Sequence, residues 1–202
     1  MAYWCTLRDM PMDEPEVYPG DVFHSASSRW LGRAIRWAGK EPGEKALVNH
    51  TGLVVERARS IHEAAVIEAV GSIRKVRLGE AYSAADLVTV WRPRNIPPED
   101  IELIVAAAHG DLGKRYPWWQ LLAYLADAAI PGKPVVFRRL VGLSGRNVCS
   151  ASAGVWFAAG GYTFGSPHPA ALTPDDIHDY QRDTPRHWSM VRSLSPLRRF
   201  GG

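Results

Sequence analysis

The order of apolar and polar positions divides the chain into segments with two different periods. After an acidic, polar opening, Tyr18-Pro-Gly-Asp-Val-Phe23 reads as a turn running into a short extended segment. Ser27 and Ser28 are N-cap residues for a helix in which Trp30, Leu31, Ala34, Ile35 and Ala38 recur at helical spacing, and Gly39 closes it. Residues 40–46 read as loop. Alternating and β-branched runs then predict strands over 49–56, 65–70, 73–78 and 87–91. Short connections between them predict an antiparallel meander in sequence order.

The second half turns helical. Pro97-Pro-Glu-Asp100 opens a helix with proline and acids in the first turn, and Ile101, Ile104, Val105 and Ala108 are its buried stripe. Residues 113–117 break the pattern, 118–129 form a further helix, and 131–145 are a loop rich in Gly, Pro and Arg. Cys149 then begins a helix of small and apolar residues stopped by Gly160-Gly161. Thr173-Pro-Asp-Asp176 is a helix start with its cap, its first-turn proline and a capping-box acid, and 187–192 predict a last strand. The expected fold class is α+β: a small antiparallel sheet flanked by helices, with Cys149 at a helix N-terminus packed on it. The expected organisation is a loosely held N-terminal segment over 1–17 and one domain over 18–202.

Composition narrows the partners. A hydrophobic content of 46% with 22% charged residues suits a globular chain of 202 residues with one core. The net charge of +3 is small, and apart from Arg138-Arg139 and Arg198-Arg199 the basic residues are scattered, so no nucleic acid is expected. No stretch approaches the roughly 20 apolar residues of a membrane span. The opening lacks the basic start and long apolar run of a signal peptide, which points to synthesis in the cytoplasm. Delivery to the cell envelope or to another cell would then need other machinery. Cys5 and Cys149 are too few for a disulfide framework and fit a reducing compartment. There is no metal-ligand spacing, phosphate-binding glycine loop or nucleotide fingerprint, so neither cofactor nor metal is expected.

Candidate chemistry centres on Cys149. At a helix start, unpaired N–H groups and the helix dipole favour a thiolate over a thiol. A buried small hydrophobe is the competing reading, because free cysteine is often buried. A thiol nucleophile needs a base in hydrogen-bond reach and a third group to orient that base. Of seven histidines, His24, His62, His109, His168 and His178 read as loop or polar-face residues at the surface. His50 and His187 fall on predicted strands. His50 heads an apolar strand, and Gly52 two residues on leaves room for another group to approach. The next strand, Val66-Ile-Glu-Ala-Val70, carries one carboxylate in an apolar run, and lone carboxylates are rarely buried unless paired. A hairpin would lay Glu68 beside His50. Pairing Cys149 with His187 instead would give the order nucleophile first, base later, and would leave His50, Glu68 and most of the upstream chain without a role.

Asn-His-Thr-Gly-Leu-Val-Val from Asn49, Val-Ile-Glu-Ala-Val from Val66 and Asn-Val-Cys-Ser from Asn147 occur in an order that resembles one family. The chain is similar to circularly permuted papain-like cysteine hydrolases of the NlpC superfamily, above all the YiiX-like group related to lecithin:retinol acyltransferase-like enzymes. Pro19-Gly-Asp-Val22, Gly113-Lys-Arg-Tyr116 and Thr173-Pro-Asp-Asp176 extend the resemblance from about Tyr18 to Tyr180. It implies Cys149 as nucleophile, His50 as base, Glu68 as orienting group and the Cys149 N–H in the oxyanion hole. Tyr116 is implied as a residue near the substrate carbonyl, although Pro117 follows it where the group often has aspartate. The implied activity is acyl-enzyme cleavage of an amide, most naturally a peptidoglycan peptide or other small amide. A lipid or thioester substrate is the alternative within the same mechanism, and a catalytically idle binding module is the alternative outside it. Trp118-Trp119 would suit an aromatic-walled groove or a core.

Overall fold

The computed structural model describes residues 16–26, 46–83, 85, 87–115, 149–169 and 172–194. The helices expected over 28–38 and 118–129, the loop over 131–145, Cys5 and Tyr116 lie outside the described residues.

Six strands make one antiparallel sheet: β1 (Val22–Ala26), β2 (His50–Val54), β3 (Ala65–Val70), β4 (Ser72–Arg77), β5 (Leu87–Pro93) and β6 (Trp188–Leu194). Their order is β4-β3-β2-β1-β5-β6. Side chains on a strand alternate between faces, and here both faces are covered. Val22, Leu53 and Ile67 meet residues from α2 (Pro98–Gly110), α3 (Cys149–Ala159) and α4 (Pro174–Asp183) on one side. Phe23, Val54 and Val66 meet Ile61, Ala64 and the short helix α1 (Leu78–Ala81) on the other. The expected α+β class holds. Among the described residues no helix is long and apolar enough to cross a membrane.

The expected four-strand meander is corrected. The strands from 50 to 77 do run as a meander, but β5 does not pair with β4. It crosses to the far side of β1, with Val22 opposite both Leu53 and Trp91. The reason lies in β1, buried at all five positions, which needs a neighbour on each side to satisfy its N–H and C=O groups. The approach to β1 is also built in. Asp21 accepts from the Tyr18 amide at 2.9 Å and from Arg92 Nε and Nη2 at 2.9 and 2.7 Å. Val17, at the edge of the expected terminal segment, is fully buried and exchanges backbone hydrogen bonds with Ala58.

Helix α3 is buried on nearly every side, as a helix apolar all round must be. It ends as its glycines predict. The Tyr162 amide reaches back to Phe157 O at 3.0 Å while Gly161 takes a φ of 84°, the left-handed turn of a helix C-terminus. Helix α4 shows the full capping box expected at Thr173 and Asp176.

Candidate active site

The first residue of β2 and the first residue of α3 come together. His50 and Cys149 are hydrogen-bonded. His50 Nε2 is 2.9 Å from Glu68 Oε2, so Nδ1 is the ring nitrogen left for sulfur. Glu68 stands opposite Gly52 in the β2–β3 ladder, one diagonal step from His50 on the same face. Gly52 is required there, because a Cβ would sit 2.4 Å from Phe23 Cε1 and 2.8 Å from the Ile67 carbonyl. Phe23 fills that space and reaches the His50 ring at 5.9 Å between centroids.

Glu68 is fully buried. Removing a carboxylate from water costs several kcal/mol, so it persists as an anion only with strong donors around it. Two of these donors could not be read from the local pattern. Arg74 holds Oε1 through Nε at 2.9 Å and Nη2 at 2.8 Å. The Tyr82 hydroxyl donates to Oε2, the same oxygen that His50 uses. Arg74 lies opposite Glu68 in the β3–β4 ladder, so the register of that hairpin could have named it. Tyr82 follows α1 and carried no sequence signal.

The ionisation follows from these contacts. Burial disfavours the His50 imidazolium, but the charge and hydrogen bond of Cys149, then those of Glu68, raise His50 to about 10. Burial pushes the Cys149 thiol up, while His50 and the Thr51 and Ser150 backbone N–H groups bring it below its ordinary value. Burial likewise raises Glu68, and the His50, Tyr82 and Arg74 hydrogen bonds overcome it and hold the carboxyl down to about 2. All three shifts run toward the charged forms: thiolate, imidazolium and carboxylate.

This sheet, with its helices, is similar to that of the metalloprotein YiiX from Escherichia coli O157:H7. The crystal structure of that protein matches with a TM-score of 0.61 over 91% of this chain and 99% of that one. The two sequences are 17% identical, so the likeness carries the papain-like α+β fold alone. No family model matches the chain, and no curated protein matches it.

Two of the five histidines read as surface residues are buried. His24 lies fully buried in β1 between Thr51 Oγ1 at 2.8 Å and Gln181 Oε1 at 2.7 Å. His178 is buried on α4, edge-on to the His24 and Trp91 rings. Their burial depends on where α4 lies over the sheet, which no local pattern records. His109 and His168 are exposed as expected, and His62 is half-buried in a turn. His187 is exposed in the turn before β6, which starts at Trp188. His50, not His187, meets the sulfur.

Among the described residues, Asp175, His178 and Asp179 could offer three metal-ligand atoms within 4.8 Å of one another. They are a poor free set. Asp175 Oδ1 accepts the Leu47 and Val48 amides at 2.8 and 3.3 Å, and Asp179 Oδ1 is 2.6 Å from Arg182 Nη1. His178 Nδ1 is 3.6 Å from Asp179 Oδ1. Two backbone amides and a guanidinium already answer the two negative charges.

Proposed function

We propose that the chain is a cysteine hydrolase of the permuted papain-like, YiiX-like kind, cleaving an amide through an acyl-enzyme. The observation that carries this reading is the buried contact of Cys149, His50 and Glu68, which puts a thiolate beside an imidazolium held by a carboxylate. The chemistry follows from the atoms. Sγ attacks the carbonyl carbon, a C–S bond forms and an electron pair moves onto oxygen. As that pair returns, the C–N bond breaks and the Nδ1 proton of His50 goes to the departing nitrogen. A water then loses its proton to Nδ1 and attacks the thioester, releasing the acid and restoring the thiolate. Glu68 keeps Nε2 protonated and offsets the charge on the ring in both halves. The Cys149 backbone N–H is assigned to the carbonyl oxygen, as its place at the helix start supports. No step is routed through a metal, because the Asp175 and Asp179 carboxylates are engaged by backbone amides and by Arg182.

The leading substrate is a peptidoglycan peptide or a similar small amide. That choice rests on the family resemblance of the three motifs. Incubation with purified muropeptides and, in parallel, with lipid esters, read by mass spectrometry, tests it. New termini from muropeptides, lost in Cys149→Ala, are the expected result. Cleavage of the esters alone would move the substrate to lipid, and no product from either would overturn the hydrolase reading.

A further inference from the structure

Glu68 has more donors than a histidine–carboxylate pair requires. Oε1 is chelated by Arg74, and Oε2 is shared by His50 and Tyr82. The Tyr82 ring also lies nearly parallel to the imidazole, at 22° and 5.7 Å between centroids, with Phe23 edge-on to it at 5.2 Å. One side chain therefore touches both the base and the group that orients the base.

We infer that Tyr82 is a positioning residue for His50, locking the imidazole by its hydroxyl through Glu68 and by its ring through stacking. The inference rests on the cysteine-hydrolase reading above.

The backbone around Tyr82 is suited to that task. Leu78, fully buried, donates its amide to Ala64 O at 2.9 Å, and the Gly79 amide donates to His62 O at 3.1 Å. A Cβ on Gly79 would lie 2.8 Å from the His62 backbone, so the turn sits tightly on its support. The Tyr82 amide closes α1 on Leu78 O at 3.0 Å. Burial, then the charge on Glu68, push the Tyr82 hydroxyl far above its ordinary value, so it remains a donor throughout the working range.

Arg74 is the other candidate for the role, and exposure decides between them. Its side chain is 46% exposed and walls a polar pocket of about 690 Å³ with Lys75, Arg77, Glu56 and Glu80. Water screens much of its charge, so Arg74 mainly fixes the carboxylate plane. Tyr82 is half-buried and in contact with the ring itself. Its importance rises once the acyl-enzyme forms. The sulfur is then a thioester and no longer a charged partner for Nδ1, leaving Glu68, Tyr82 and Phe23 to hold the ring for attack by water.

The test compares Tyr82→Phe and Tyr82→Leu in a Cys5→Ser background, so that Cys149 is the thiol read. The rate of alkylation by iodoacetamide is measured from pH 4 to 10, and the burst and steady state with p-nitrophenyl acetate are recorded alongside. Tyr82→Phe keeps the stack and loses one hydrogen bond to a charge. It should lower alkylation at neutral pH by about tenfold and move the profile toward an ordinary thiol. Tyr82→Leu should move it further and slow the steady state more than the burst. Val88→Ala, a cavity in the same apolar cluster, should lower Tm and leave the profile in place. If wild-type Cys149 itself titrates as an ordinary thiol, the hydrolase reading falls and takes this inference with it. If the wild-type thiol is activated and both Tyr82 variants keep its profile, the inference alone is overturned.

Discussion

His24 and His50 sit on paired strands, with Thr51 opposite the first and Ser25 opposite the second, and they end in opposite charge states. His24 is hydrogen-bonded to the neutral Thr51 and Gln181 and packed against the His178 ring, and burial, then repulsion from His178, pushes it down to about 3. His50 is also withdrawn from water, yet it rises to about 10 because its partners are a thiolate and a carboxylate. Burial is common to both. Partner charge decides the outcome. The neutral histidine ties the sheet to α4, whereas the charged one has a proton to give and a neighbour to take it from.

The largest expected effect is on the charged histidine. Cys149→Ala and His50→Ala should each abolish turnover, with alkylation at position 149 lost in the first and slowed to that of an ordinary thiol in the second. Retained turnover in either variant would remove the contrast altogether. Glu68→Gln should come next. It leaves the shape and removes the charge that supports the imidazolium, so alkylation at neutral pH should fall by roughly a hundredfold. His24→Asn should leave that rate within about twofold, since neutral partners add little to the ionisation of Cys149.

The pH dependence of stability gives the two histidines opposite signs. His50 has a raised folded value, so its own contribution is fully present below about 6.5 and is lost as pH rises toward 10. Cys149, held below its ordinary value, contributes with the opposite sign until the unfolded thiol ionises, which leaves the net loss to the alkaline end of that window. His24 has a depressed one, so its contribution is present above about 6.5 and is lost as pH falls toward 3. Urea midpoints against pH should show an acid limb flattened by His24→Asn and an alkaline limb flattened by His50→Gln. The reverse assignment would refute the comparison. Glu68, held at about 2, adds a further loss as pH falls from about 4.5 toward that value.

A smaller effect is expected at Gly52. Alanine there meets the Phe23 ring and the Ile67 carbonyl, which should cost about 1–3 kcal/mol of stability. If Phe23 shifts, alkylation of Cys149 should slow as well, and an unchanged urea midpoint would show that the strand can open. The smallest effect belongs to the surface. Arg57→Ala removes a pair with Glu16 at 2.7 Å, and with that pair open to screening by water it should leave the urea midpoint nearly unchanged.

Much of this was legible in local pattern. Strands at β2 and β3, the cap at Thr173 and the glycine stop after α3 each depend on a few neighbouring residues. Cys149, His50 and Glu68 could be named because each breaks its surroundings: a thiol at a helix start, a polar head on an apolar strand, a carboxylate in an apolar run. Their assembly in one place is a finding of the structure, whereas their catalytic roles are the proposal. Tyr82 showed no such anomaly, since a tyrosine after a short polar helix is unremarkable until it is seen over the imidazole.

The chain by itself determined which segments alternate, which coil and where they stop, because those choices are governed by backbone sterics and by the period of the side chains. Only the tertiary structure decided that β5 crosses to β1, that His24 and His178 lie inside, and that Arg74 and Tyr82 close around Glu68. These depend on contacts between residues far apart in sequence or on opposite sides of a turn, where no local period records the partner. The charge on His50 belongs to the same class. Its type and place were visible in the sequence, but its proton is set by the groups that folding brings to its two nitrogens.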